Sequence, residues 1–212
     1  MTLPRYRYGA RFYDTVSGER LLYRHGRAAA IRLLALQPGA RVLVVGCGTG
    51  LDLPLLTAAV GARGEVVGID ASAAMLAQAR RKVVRAGWRN VRLVDGDAAT
   101  LPGVHGTFDA VLFTYSLSVI HEWRRAWQAA LGRLAPSGRV AVVDTDLPTG
   151  LATPLRPLAR LALWAGKVDR NRKVWTTVLD GLTDTRYHRL ARGHIHVAVG
   201  TSTGPAARQE AR

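Results

Sequence analysis

Val42-Leu43-Val44-Val45-Gly46-Cys47-Gly48-Thr49-Gly50-Leu51 is the stretch on which the fold turns. Four apolar residues, enough for a short buried strand, run straight into three glycines at alternate positions, and a helical pattern follows over 52–60. A glycine turn between a strand and a helix lets the backbone bend sharply and approach a ligand closely. The dinucleotide fingerprint G-x-G-x-x-G needs glycine at position 51. Leu51 stands there, which demotes NAD and FAD as ligands.

Outward from this loop, similar apolar runs recur at 65–69, 91–94, 108–113 and 139–143, and each reads as a buried strand. Helical periodicity separates them at 52–60, 72–86 and 122–134, with Ser72 placed to cap the second helix and Gly87 to stop it. Such alternation predicts a parallel sheet covered by helices, with ligands beyond the carboxyl ends of the strands. Ahead of the first strand, 19–36 predicts a helix closed by Pro38-Gly39. After the fifth strand, Pro148, Pro154 and Pro157 punctuate a segment rich in Leu, Ala and Arg, followed by the basic run 167–173. We read it as an insertion. The alternation over 194–199 suits a final antiparallel strand, with a weaker partner at 184–190.

A chain of 212 residues with 48% hydrophobic and 21% charged residues has the composition of one globular domain. No apolar run approaches the ~20 residues of a membrane-spanning helix, and no signal-like apolar block follows Arg5, Arg7 and Arg11. A cytoplasmic protein is expected. The single cysteine, Cys47, excludes an internal disulfide and a Cys-cluster zinc site, and the six histidines lack ligand spacing, so no metal is expected. Thirty Lys+Arg against fifteen Asp+Glu give +15, a field that attracts nucleic acid or an anionic bilayer. A solvated basic surface accommodates the same charge.

The loop Gly46-Cys47-Gly48-Thr49-Gly50 resembles the G-x-G-x-G first motif of class I S-adenosylmethionine-dependent methyltransferases, and further positions agree in order. Asp70 ends the second strand where the family's acidic residue accepts from both ribose hydroxyls of the cofactor, a task suited to an acceptor-only carboxylate. Asp97-Ala98 matches the adenine contact after the third strand, and Phe108-Asp109-Ala110-Val111 resembles the fourth strand, which ends at the substrate in Thr114-Tyr115-Ser116-Leu117. The resemblance implies S-adenosyl-L-methionine held by Gly46, Cys47, Gly48, Gly50, Asp70, Ala71, Asp97, Ala98 and Thr114. Cys47 serves through its backbone. One departure stands out: where many relatives carry an acid two positions before the first glycine, to help hold the methionine end of the cofactor, this chain has Val44, and Asp52 or the Asp14 region is the candidate substitute.

The implied fold is α/β and Rossmann-like: a mostly parallel seven-stranded sheet with helices on both faces and a helical insertion before the last strands. The expected organisation is a single domain over 1–202, with an N-terminal helical lid at 1–37, an insertion at 148–182 and a flexible tail at 203–212.

Methyl transfer from a sulfonium is an in-line displacement, so positioning and water exclusion carry most of the rate, while a carbon or phenol acceptor also needs a base. Tyr115, His121 and Tyr13 are the candidate catalytic residues. Tyr115 lies just beyond the fourth strand, and His121 lies close to the predicted substrate edge. Tyr13-Asp14, within an aromatic cluster of Tyr6, Tyr8, Phe12 and Tyr13, resembles the segment that folds over the cofactor in lipid and quinone methyltransferases. Tyr115-Ser116-Leu117-Ser118-Val119-Ile120-His121-Glu122-Trp123 is similar to a segment of bacterial enzymes that methylate the amino group of phospholipid or betaine-lipid heads, departing at Val119 and His121. Asp144 after the fifth strand is similar too. A lipid-headgroup amine is therefore the first expected acceptor. Arg156 and Arg160 would meet an anionic membrane at its inner face while Leu155, Leu158 and Leu161 insert. A quinone or other small molecule is the alternative for C- or O-methylation, followed by an RNA-binding methyltransferase or a non-catalytic cofactor-binding scaffold. Nucleic acid is disfavoured because the Asn/Asp-Pro-Pro-aromatic motif is absent at 114–117 and the C5-pyrimidine nucleophile has no cysteine but Cys47.

Overall fold

The computed structural model describes residues 23–149, 153 and 172–203. Tyr13 and the rest of the N-terminal aromatic cluster lie outside the described residues, as do Arg156, Arg160, the leucines beside them and most of the tail.

Helix α1 (Arg24–Leu33) precedes β1 (Arg41–Val45), then α2 (Leu53–Val60), β2 (Glu65–Asp70), α3 (Ala73–Ala86), β3 (Val91–Asp95) and β4 (Phe108–Thr114). Helix α4 (Trp123–Leu131), β5 (Leu134–Thr145), α5 (Thr176–Gly181), β6 (Thr183–Leu190) and β7 (Ile195–Thr201) complete the described chain. The seven strands form one sheet in the order β3-β2-β1-β4-β5-β7-β6. β1 to β5 run parallel, and β7 runs antiparallel between β5 and β6. This is the expected Rossmann-like sheet, with the expected antiparallel strand at β7 and its partner at β6.

Local chemistry explains the limits of the elements. Pro54 sits in the first turn of α2, where its missing N–H costs nothing. Ser72 caps α3 by accepting from the Met75 N–H, and Gly87 ends it in the left-handed conformation at φ +67. The helix expected over 122–134 stops earlier, at Leu131, and the strand expected from 139 begins at Leu134. Leu134 pairs with Phe108, the register then jumps to Ala110 opposite Arg139, and Ser137 takes φ +60 in between. A bulge at Pro136-Ser137-Gly138 hides the first residues of β5 from a reading based on apolar runs.

Alternation along the strands splits the core into two layers. Leu43, Val45, Val67, Val111 and Phe113 face α4 and α5 with Trp127 and Trp175. Val42, Val44, Val66, Leu112 and Val143 face α1 to α3 with Ala30, Leu56 and Leu76. Each such side chain, fully buried, stabilises the fold by about 1.5–3 kcal/mol relative to an exposed one. Helices thus cover both faces. Among the described residues no helix is long and apolar enough to cross a membrane.

Candidate active site

Val45 carries the chain out of the sheet into Gly46–Gly50. The N–H groups of Gly46 and Cys47 both donate to Ile69 O, at 2.8 and 3.0 Å, so the loop is pinned to the end of β2. Gly46, Gly48 and Gly50 all have positive φ, and a Cβ on Gly46 would meet Ser116 Cβ at 2.5 Å, one on Gly50 Leu53 Cδ1 at 2.7 Å. Gly48 differs. At φ +54 its missing Cβ has nothing within 4 Å, so this face of the loop is open. Cys47 turns inward: its sulfur packs against Gly68, and burial, followed by Asp70 and Asp52, pushes its thiol well up. The thiol is inert, and the residue serves the loop through its backbone.

Asp70 closes the loop from the β2 side. Gly48 N–H donates to Oδ2 and Ser72 N–H to Oδ1, each at 2.8 Å, which fixes the carboxylate and leaves a further lone pair on each oxygen. Burial raises its pKa, the two N–H groups hold it down, and Asp95 across the strand pair raises it slightly. Ala71 is exposed between Asp70 and the α3 cap. Gly96 N–H donates to Asp70 O, which places Asp97 on the same edge. Asp97 is held by Ala99 N–H on Oδ1, and Ala98 packs partly against the core.

At the end of β4 lies a buried set that joins Asp52, a candidate for the missing acid, with Thr114 and Tyr115 through Arg27, which the sequence did not single out. Arg27 of α1, 7% exposed, reaches both carboxylate oxygens of Asp52 through Nη1 at 3.1 and 3.2 Å. Thr114 Oγ1 donates to Asp52 Oδ2 at 2.5 Å. The expected cofactor residue Thr114 therefore spends its hydroxyl proton on Asp52. Val44, in the place of the usual acid, is wholly buried on this same face of the sheet. Tyr115, at φ +53, lays its ring under the Arg27 guanidinium at 5.1 Å and edge-on to Tyr23, and its hydroxyl donates to Tyr23 O at 2.9 Å. The approach is tight enough that a Cβ on Gly26 would lie 2.3 Å from the Tyr115 oxygen. A Gly-Arg pair on the buried face of α1 was the available signal, and a weak one.

Further along, Ser116 Oγ–H donates to Val45 O. Asp144, at the end of β5, accepts from Ser118 Oγ–H at 2.9 Å, from Ser118 N–H at 3.2 Å and from Thr145 N–H at 2.8 Å. Burial pushes its carboxyl up to about 6 against these bonds. The start of β7 reaches the same edge from the opposite direction. His194 bonds Tyr23 and the Asp146 carbonyl, while His196 stacks on Trp175 and bonds Tyr187 and the Gly193 carbonyl. Burial holds the His196 pKa below its ordinary value. His121 is exposed instead, in a groove whose described lining includes none of the loop glycines. Gly46, Gly48, Gly50, Asp70, Asp97, Thr114 and Tyr115 thus gather along one edge, His121 stands apart, and no group of three or more His, Cys, Asp or Glu among the described residues is arranged to hold a metal.

Residues 42–138 match the family model described as "Methyltransferase domain". The chain is 34% identical over 139 residues to the demethylmenaquinone methyltransferase of Shouchella clausii (strain KSM-K16) and 32% identical to that of Bacillus cereus (strain B4264). Each match covers 65% of this chain and 59% of the relative, so it spans less than two thirds of the curated proteins it resembles. Among solved structures, a SAM dependent methyltransferase from Aquifex aeolicus superposes with a TM-score of 0.66 at 21% identity, covering 91% of this chain and 96% of that one. A phosphoethanolamine N-methyltransferase of Haemonchus contortus gives 0.68 at 14% identity, covering 85% and 53%. The domain has the fold of class I S-adenosylmethionine-dependent methyltransferases.

Proposed function

We propose that this chain, built on a methyltransferase domain, moves the methyl group of S-adenosylmethionine to a small molecule, with a demethylated quinone as the favoured acceptor. The observation that carries the first part is the carboxylate of Asp70, anchored by two backbone N–H groups beside the open face of Gly48. That is the acceptor chemistry a ribose diol, donating from both hydroxyls, requires. Asp97 accepts from the adenine amine, with Ala98 beside it. Gly46, Cys47, Gly48 and Gly50 supply backbone contact, Ala71 borders the ribose side, and Thr114 stands at the methionine end. That end is a zwitterion, and the buried Arg27–Asp52 pair offers both charges where Val44 offers none. Bound there, the cofactor supplies a sulfonium methyl group open to in-line displacement.

On the acceptor side Tyr115, clamped between Arg27 and Tyr23, orients the acceptor, and the resemblance at Tyr13-Asp14 adds Tyr13 to the catalytic set. A phenol or ring-carbon acceptor must lose a proton to a base. Asp144, pushed up to about 6 and linked to Ser118 Oγ–H, suits that task near neutral pH better than exposed His121, which keeps the role only for an acceptor that spans to its groove. The quinone assignment rests on the two relatives named above. A second reading, transfer to the amine of a lipid head at an anionic membrane, rests on the Tyr115–Trp123 segment and the +15 charge.

Calorimetry with S-adenosylmethionine tests the first part, and a scaffold without cofactor affinity would show no heat. Labelled cofactor offered with a demethylated quinol and, separately, with amine-headed lipid vesicles tests the second. Label in the quinol is expected, and label in the lipid alone transfers the assignment to the amine.

A further inference from the structure

Away from the glycine loop, the start of α4 and the chain entering α5 enclose a groove of about 590 Å³. Its described lining carries Arg124, Arg125, Arg172 and Lys173 against a single carboxylate, Glu122. Like charges brought together on one concave surface repel, so a groove with this imbalance is stabilised by an anion. The guanidinium groups are also held in place. Arg124 lies over the Trp123 ring at 4.5 Å, Arg172 Nη1 donates to Ile120 O at 2.8 Å, and Arg125 Nη1 meets both oxygens of Glu122 at 3.1 Å. Side chains already ordered lose less freedom on binding, which favours affinity. The first N–H groups of the nine-residue helix α4 open toward the same end, with no side-chain cap at Glu122.

We propose that this groove binds the phosphoryl group of a small molecule or of a lipid headgroup. Several planar forks on one site match the three or more oxygens of a phosphoryl group better than the two of a carboxylate. The volume is that of a small-molecule site, and the cations form a cluster, whereas single-stranded nucleic acid needs an extended basic track. The proposal does not depend on cofactor binding, because none of the residues assigned to the cofactor is in the groove's described lining.

The test is titration of the full chain with inorganic pyrophosphate, followed by calorimetry. Saturable binding at one site is expected. The double variant Arg124→Ala/Lys173→Ala, which changes two exposed side chains, should weaken it at least roughly tenfold, the loss expected for charge-assisted contacts. Arg85→Ala/Arg89→Ala, which removes the same charge from the end of α3, should leave it unchanged. Sedimentation with phosphatidylglycerol vesicles separates the sources. Vesicle binding that the groove variant loses marks a lipid headgroup, and pyrophosphate binding without vesicle binding marks a soluble ligand. No saturable pyrophosphate binding, equal losses in the two double variants, or an RNA oligonucleotide that binds through the groove when pyrophosphate does not, each overturns the proposal. Affinity for S-adenosylmethionine, measured on the same samples, reports separately on the methyltransferase reading.

Discussion

The β1–β3 end of the site edge and the β5–β7 end are built by different means. At the first, backbone N–H groups do most of the work, some from near neighbours, Ser72 on Asp70 and Ala99 on Asp97, and some from the next strand's end, Gly48 on Asp70 and Gly46 and Cys47 on Ile69 O. At the second, side chains meet across long separations, Ser118 with Asp144 and Tyr23 with His194. The first arrangement presents a standard surface to a ligand with a standard shape. The second is a set of buried polar groups held largely by side chains from other elements. The contrast fits the proposed placement of a cofactor at the first end and an acceptor at the second.

The sharpest way to break the comparison is at Gly48. Gly48→Val places a β-branched residue at φ +54 on the open face, and the expected result is a folded domain with no measurable cofactor binding by calorimetry. Normal affinity in a folded variant would show that the loop is only a turn. Next comes the pair that joins the two ends. Asp52→Ala takes the shared carboxylate away from Arg27 and Thr114, and denaturant unfolding should show a loss of about 1–3 kcal/mol, the cost of leaving buried donors short of an acceptor. Replacing both Arg27 and Asp52 by apolar residues should cost much less.

Asp144 probes the second end alone. Its folded-state pKa is raised, so the native state keeps a proton that the unfolded chain releases, and stability falls as pH rises from the ordinary 3.8 to about 6. Across that window the wild type should lose up to about 3 kcal/mol relative to Asp144→Asn, read by urea unfolding at several pH values. A constant difference would show a carboxylate ionised throughout. The narrowest effect belongs to Asp70→Ala, expected to weaken cofactor binding by about 1.5–3 kcal/mol through two lost ribose hydrogen bonds. Affinity unchanged within error removes Asp70 from the site.

This division also explains what could be read before the structure. The strands at 65–69, 91–94 and 108–113 agree with β2 to β4 to within one residue, because each is an apolar run bounded by polar or turn residues. The Ser72 cap and the Gly87 stop were legible for the same reason, since both act over one turn. The bulge that extends β5 to Leu134 was not, because Pro136-Ser137-Gly138 reads as a terminator unless the partner strand is known. Arg27 and Asp52 lie 25 residues apart, and nothing local marks either as the other's partner. Tyr115 was chosen for its position, but its left-handed backbone and its place under Arg27 depend on α1 having docked.

β7 has a consequence in time as well as in space. It lies inside the sheet, between β5 and β6, although it is the last strand of the described chain. During synthesis the glycine loop, Asp70 and Asp97 leave the ribosome long before Ile195–Thr201 does, so β5 waits with an unpaired edge of Val140, Val142 and neighbouring apolar residues. The nascent chain can assemble its cofactor end while the opposite end is still missing a wall. Its vulnerable interval is the one in which β5 has emerged and β7 has not, and a pause in translation there lengthens exposure of the very strand that carries Asp144.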